Sequence, residues 1–207
     1  MQSEIRCMLM RGGTFKGAYF LAEDLPIDGT KRDDLLLTIM GSRDPRQIDG
    51  IGGAHPLTSK VAIVSRSQSP DNDIDFLFAQ VSVQEAFVDT KLNCGNILAG
   101  VALFAIERGL IEVRSPETRV HVKTLNTGTR AELIVNTPQG SVDYEEDEAI
   151  DEVPGTTAAI PNQFSRYSGV CLWSTVPYRT TFGHSKWCRS YMYRQWNADC
   201  HYPSGRY

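Results

Sequence analysis

Apolar positions in the first 160 residues fall into short runs and alternations, broken by glycine and proline. Ile5 to Met10 reads as a strand that enters a glycine-rich turn, Arg11-Gly12-Gly13-Thr14-Phe15-Lys16-Gly17, and leaves it as a second strand from Ala18 to Ala22. Leu35, Leu36, Leu37, Ile39 and Met40 predict a helix capped by Thr30 or Asp33 and closed by Gly41. A second glycine-rich loop, Asp49 to Pro56, precedes strands at Lys60 to Ser65 and Ile74 to Val83. Asn93-Cys94-Gly95-Asn96 opens the most apolar helix, which runs to Arg108 and ends at Gly109. Val120 to Leu125, Ala131 to Val135 and Ser141 to Tyr144 complete a strand-rich pattern. Many strands with two helices predict an α+β domain, its mostly antiparallel sheet built around the apolar helix.

The pattern changes near Pro161. Residues 161–207 hold all three tryptophans (Trp173, Trp187 and Trp196), six of the eight tyrosines and three of the five cysteines. They contain one acidic residue, Asp199, and only Val170, Leu172 and Val176 among the large aliphatics. No helical or strand period runs through them. Back-translating Ser165 to Gly169 and reading one nucleotide later permits Leu-Asp-Ile-Ala-Gly. The same shift from Met192 to Asn197 permits Cys-Ile-Asp-Asn-Gly-Met, an ordinary protein segment. The expected organisation is a lobe over residues 1–160, then an out-of-frame tail over 161–207 whose three indole rings are exposed. A disordered extension is the competing explanation.

Composition narrows the function classes. An apolar share of 41% supports a packed core, and the net charge of −4 without a Lys/Arg cluster argues against nucleic acid as partner. The longest apolar run, Ile97 to Ile106, is far short of a membrane span. The first residues lack the basic-then-apolar layout of a signal peptide, so a cytoplasmic location and free thiols are expected. No cysteine or histidine spacing suggests a metal.

Candidate chemistry lies in the glycine loops and beside them. Glycine turns expose backbone N–H groups that form concave anion sites. Arg11 and Lys16 beside Gly12 and Gly13 would add charge for a carboxylate, although a tight hairpin with two surface cations reads the same way. Cys94 sits where a helix begins, a place that lowers a thiol pKa; a buried core cysteine is the alternative. Lys60 opens the apolar strand Val61-Ala62-Ile63-Val64, where desolvation can lower its pKa toward that of a usable base. A solvated strand-end lysine is the plain alternative there.

Together these segments resemble one family. Met10-Arg11-Gly12-Gly13-Thr14-Phe15-Lys16-Gly17, Ile48-Asp49-Gly50-Ile51-Gly52-Gly53, Leu57-Thr58-Ser59-Lys60-Val61-Ala62 and Asn93-Cys94-Gly95-Asn96-Ile97-Leu98-Ala99-Gly100-Val101 look like the PrpF family. That family includes methylaconitate cis-trans isomerases and 4-oxalomesaconate tautomerases. Leu77-Phe78-Ala79-Gln80-Val81 is closer to the oxalomesaconate branch, and the shifted tail also reads like a continuation of the family.

The resemblance implies a diaminopimelate-epimerase-like fold of two similar lobes, each a curled sheet around a central helix, with the second lobe missing here. It implies Lys60 and Cys94 as the acid/base pair. The substrate, a small unsaturated polycarboxylate, would be held by Arg11, Gly12, Gly13, Thr14, Lys16, Gly52, Gly53, Ser59, Asn93, Gly95 and Asn96. No cofactor and no metal are expected, and full-length relatives are expected to form homodimers. Two departures stand out. Phe15 occupies a position where the family usually has serine, and the chain is about half the family's length.

Overall fold

The computed structural model describes residues 4–151 and 153–164, and the backbone of 188–191 and 196–197. In chain order the strands and helices are β1 (Met8–Gly12), β2 (Phe15–Leu21), α1 (Gly29–Met40), β3 (Lys60–Arg66), β4 (Ile74–Val81), β5 (Val88–Asp89) and α2 (Gly95–Glu107). They continue with β6 (Glu117–Thr124), β7 (Arg130–Asn136), β8 (Ala159–Phe164), β9 (Cys188–Tyr191) and β10 (Trp196–Asn197). A 3₁₀ turn, Pro56–Thr58, leads directly into Ser59 and β3.

All the described strands belong to one sheet, ordered β10-β1-β2-β3-β4-β6-β7-β8-β9, with β5 paired to β4. The β2–β3 and β4–β6 pairs are parallel. The other pairs are antiparallel, so the expected mostly antiparallel sheet is what forms. Helix α2 is apolar around its whole circumference, and every residue from Ile97 to Ile106 is buried. A helix of that kind needs cover on all sides. The sheet supplies it by curling, so that β1 to β4 and β7 all contact α2.

Strand alternation divides the core in two. Met8, Met10, Tyr19, Ala62, Val64, Phe76 and Phe78 face α2. Ala18, Phe20, Val61, Ile63, Ala79 and Val81 face the other way and pack with Leu36, Leu37 and Met40 of α1. Period-two alternation makes this division obligatory, because successive side chains leave a strand on opposite faces.

Several boundaries depart from the sequence reading. Helix α1 is capped by Asp28, which accepts from Lys31 N at 2.9 Å, rather than by Thr30 or Asp33. Both of those residues lie inside the helix; the turn begins as soon as a side-chain oxygen can meet its free N–H groups. Gly41 closes it at φ 72°. Strand β1 starts at Met8 rather than Ile5, where pairing with β2 begins. Ser141 to Tyr144 forms no strand. The segment gives single bonds to its neighbours, Asp143 N to Asn136 O and Tyr144 O from Ala158 N.

Strand β8 runs across the composition break at Pro161, and β9 and β10 lie within the segment that showed no strand period. Their pairing with β8 and β1 satisfies the open backbone edges of those strands, which requires no apolar alternation. The expected exposure of Trp173, Trp187 and the Trp196 ring falls outside the described residues.

Candidate active site

Both candidate proton carriers lie on the α2 side of the sheet. Lys60 begins β3 and shares its face with Ala62 and Val64; Cys94 is the N-cap residue of α2. Lys60 is 7% exposed and Cys94 8%. They are close enough for each charge to act on the other: the thiolate would favour the ammonium, and the ammonium would favour the thiolate.

Burial outweighs that attraction at both groups. It lowers the Lys60 pKa, as its strand-edge position led one to expect. It raises the Cys94 pKa, contrary to the lowering expected at a helix start. The N-terminal effect is present, since the backbone N–H groups of Ile97 and Asn96 favour the thiolate, although the cysteine side chain accepts no capping hydrogen bond. Removal of water from the thiolate is the larger effect. Burial thus shifts both groups in the direction of their neutral forms, the amine downward and the thiol upward.

The Lys60 Nζ is held on several sides. It donates to Gln80 Oε1 at 2.5 Å and lies 4.4 Å from the Phe15 ring centroid and 5.4 Å from that of Phe78. A cation over an aromatic face is attracted by the ring quadrupole. Phe78 is fixed from behind by Asn126, whose Oδ1 accepts from Phe78 N at 2.9 Å and whose Nδ2 donates to Phe78 O at 2.8 Å. Parallel pairing of β4 with β6 ends at Phe76 and Thr124, and the Asn126 amide bonds the β4 backbone two residues further on. Neither Gln80 nor Asn126 was singled out as functional from sequence. Their type is ordinary, and only the fold brings Gln80 to Lys60 and Asn126 to Phe78.

The glycine hairpin meets the other side of the site. Register pairs Gly12 with Phe15, leaving Gly13 and Thr14 as the turn. A Cβ on Gly12 would stand 2.1 Å from the carbonyl oxygen of Asn96, so only glycine lets β1 approach the first turn of α2 this closely. Asn96 Nδ2 donates to Thr14 Oγ1 at 3.2 Å. Gly12, Gly13, Thr14, Gly95 and Asn96 therefore gather at the helix start beside Cys94. Asn93 anchors the approach to the helix through bonds to Thr124 and Thr127, and its Oδ1 is buried without a hydrogen-bond partner among the described residues.

Other expected binding residues lie elsewhere. Arg11 and Lys16 are opposite each other in register and share the strand parity of Leu9, Ala18 and Phe20, which is the α1 face. Alternation thus separates them from Lys60. Ser59 is fully buried, and its Oγ accepts from Gln47 Nε2 at 2.9 Å. Gln47 Oε1 accepts from Ala54 N at 2.9 Å. Gly52 rests against the Gln47 amide and Gly53 against Thr58. These residues brace the loop that leads to Lys60. Gln47, the centre of that brace, carries no motif by which sequence reading could have found it.

Tyr19, also missed, lies fully buried behind the cysteine. Its hydroxyl donates to Ile97 O at 2.7 Å, and burial followed by the Cys94 charge raises its pKa well above the ordinary value. Gly100 makes room for it, since a Cβ there would stand 2.3 Å from the tyrosine oxygen. Among the described residues, no group of three or more His, Cys, Asp and Glu side chains is placed to hold a metal ion.

Comparison with known proteins locates this arrangement. The profile of a family described as PrpF protein matches residues 2–177. The chain is 57% identical over 171 residues to a (4E)-oxalomesaconate Delta-isomerase of Novosphingobium sp., covering 83% of this chain and 48% of that one. It is 54% identical over 176 residues to a 4-oxalomesaconate tautomerase of Pseudomonas putida, covering 85% and 49%. A crystal structure of a methylitaconate-delta-isomerase superposes with a TM-score of 0.74 at 47% identity, covering 76% of this chain and 41% of the other. The chain thus spans about half the length of the curated relatives it matches.

Proposed function

The chain belongs to the PrpF family, and from that premise we propose that it carries the proton-transfer site of a cofactor-independent isomerase acting on an unsaturated polycarboxylate of the 4-oxalomesaconate type. The observation that carries this reading is the buried Lys60–Cys94 pair, its amine pushed down and its thiol pushed up. A neutral amine can remove a proton from a carbon whose carbanion is delocalised into a neighbouring carbonyl or carboxylate. Lys60 becomes ammonium, and the Cys94 thiol delivers a proton to the other end of the allylic system. The double bond has then moved. Return of a proton from the ammonium to the thiolate restores both groups, directly or through solvent.

The N-terminus of α2 and the Gly12–Gly13 turn face the same end of the sheet, which suits them to hold the charge of a carboxylate or enolate. Arg11 and Lys16, on the other face, serve the fold or long-range attraction rather than direct contact. The names of the relatives favour oxalomesaconate; an aconitate-type or methylitaconate-like substrate is the alternative within the same chemistry.

The test is isomerisation of 4-oxalomesaconate by the purified chain, followed by absorbance, with deuterium uptake from D₂O measured in parallel. Lys60→Ala and Cys94→Ala are expected to reduce the rate by about 10²–10⁴-fold. Rates unchanged by both substitutions would refute the assignment. A second reading is binding without turnover. It predicts calorimetric binding of the tricarboxylate with no deuterium exchange.

A further inference from the structure

Gln80 lies directly opposite Lys60 in the antiparallel β3–β4 register. Its side-chain amide is committed at both ends. Nε2 donates to Ser59 O at 2.9 Å and Pro56 O at 3.1 Å, with Val81 O at 3.4 Å. Oε1 accepts from Lys60 Nζ. A primary amide has two donor hydrogens on nitrogen and only acceptor sites on oxygen. Turning it over would set its oxygen against the carbonyls of Ser59 and Pro56 and its NH₂ against the lysine. The observed orientation pairs donors with acceptors at both ends, whereas the other sets acceptor against acceptor at Ser59 and Pro56.

A lysine side chain is a flexible stem with rotatable donors, so its direction is set by what surrounds it. Here one N–H is tied to a fixed acceptor, and the Phe15 and Phe78 rings lie within 4.4 and 5.4 Å. Once the ammonium loses a proton, its lone pair is confined to the directions that remain. We propose that Gln80 is the positioning residue of the site: it aims the Lys60 amine, helps set its protonation, and ties it to the Pro56–Ser59 segment that closes the second glycine loop. This rests on the reading of Lys60 as a proton carrier.

The surroundings of Lys60 are few enough to make the expectation specific. Helix α2 presents the Cys94 thiol, whose charge acts both on Lys60 and on Tyr19 of β2. Strand β2 otherwise presents Phe15 and Gly17, and β4 presents Phe78 and Gln80. Strand β5 sets Asp89 opposite Gln80, its Oδ1 accepting from Lys91 N at 2.8 Å. An acceptor bonded to the charged form of a base raises its pKa, and an adjacent carboxylate raises it further.

The experiment compares Gln80→Leu and Gln80→Glu in the full chain. The Lys60 titration is read by the pH dependence of trace acetic anhydride labelling, quantified on the Lys60 peptide by mass spectrometry. Gln80→Glu is expected to raise the midpoint by about one unit or more. Gln80→Leu should lower it. The acid limb of kcat/KM for 4-oxalomesaconate should follow both shifts, with kcat in Gln80→Leu falling about tenfold through lost aim. Should Gln80→Leu fail to melt cooperatively, Gln80→Met, which keeps the stem length, is read in its place. A role in packing alone would lower the melting temperature and leave the labelling midpoint unmoved in every variant, and that result overturns the proposal. Labelling needs no turnover, so absence of isomerisation in the parent chain would count against the proposed function while the midpoints still decide the role of Gln80.

Discussion

The Lys60 Nζ stands 4.4 Å from the centroid of the Phe15 ring, on the strand that pairs with its own. The resemblance leads one to expect serine at position 15, so a ring takes the place of a hydroxyl beside the amine. The ring excludes water, which favours the neutral amine, while its π face favours the ammonium.

Two substitutions separate these effects. Phe15→Ser admits water, and the Lys60 midpoint is expected to rise toward that of an ordinary lysine, carrying the acid limb of the rate profile with it. Phe15→Leu keeps the apolar cover without the quadrupole, and the midpoint is expected to fall by up to about one unit. Lysine labelling against pH checks both. Equal midpoints in the two variants would show that the ring does not govern this amine.

Burial raises the Cys94 pKa, so little thiolate exists at neutral pH. Alkylation of Cys94 by iodoacetamide, followed by peptide mapping, should be slow at pH 7 and still rising past the ordinary thiol midpoint. Cys7, half-buried on the same chain, is the internal comparison. A rate plateau for Cys94 below that of Cys7 would contradict this picture.

Lys60 also affects stability. Its folded pKa lies below its unfolded value. Between the two, the unfolded chain binds more protons, so stability rises with pH through that window. Lys60→Met keeps the stem and removes the buried charge. It is expected to raise the melting temperature at neutral pH, with the gain shrinking as pH approaches the ordinary lysine value. Such a gain at the expense of activity is common where a site holds a poorly solvated group.

The close approach of β1 and β2 to α2 depends on two glycines. Gly12→Ala would drive a methyl into the Asn96 carbonyl, and Gly100→Ala would drive one into the Tyr19 hydroxyl. Each is expected to cost about 1–3 kcal/mol in denaturant unfolding. Asp28→Ala removes the α1 cap and should cost about 1 kcal/mol.

How the site was legible follows from these residues. Cys94 and Lys60 stood out because each borders an apolar element, and the order of four short motifs pointed to a family. Arg11 and Lys16 stood out equally, as cations beside glycine. Nothing local distinguishes a cation on one face of a hairpin from one on the other until the partner helix is placed. Gln80, Gln47 and Asn126 are unremarkable in type, and although Gln47 directly precedes the second glycine loop, only pairing and side-chain direction single them out.

The amino-acid sequence by itself determined the two helices, most of the strands and the buried character of α2, because periodicity and glycine placement are local properties; Lys60 and Cys94 were paired as acid and base by the resemblance of the motifs to a family. Tertiary structure alone decided which sheet face each strand turned toward α2, and so which expected residues meet. It also decided the sign at Cys94, because a helix terminus is visible in the chain but the depth of burial that outweighs it is a property of the packed whole.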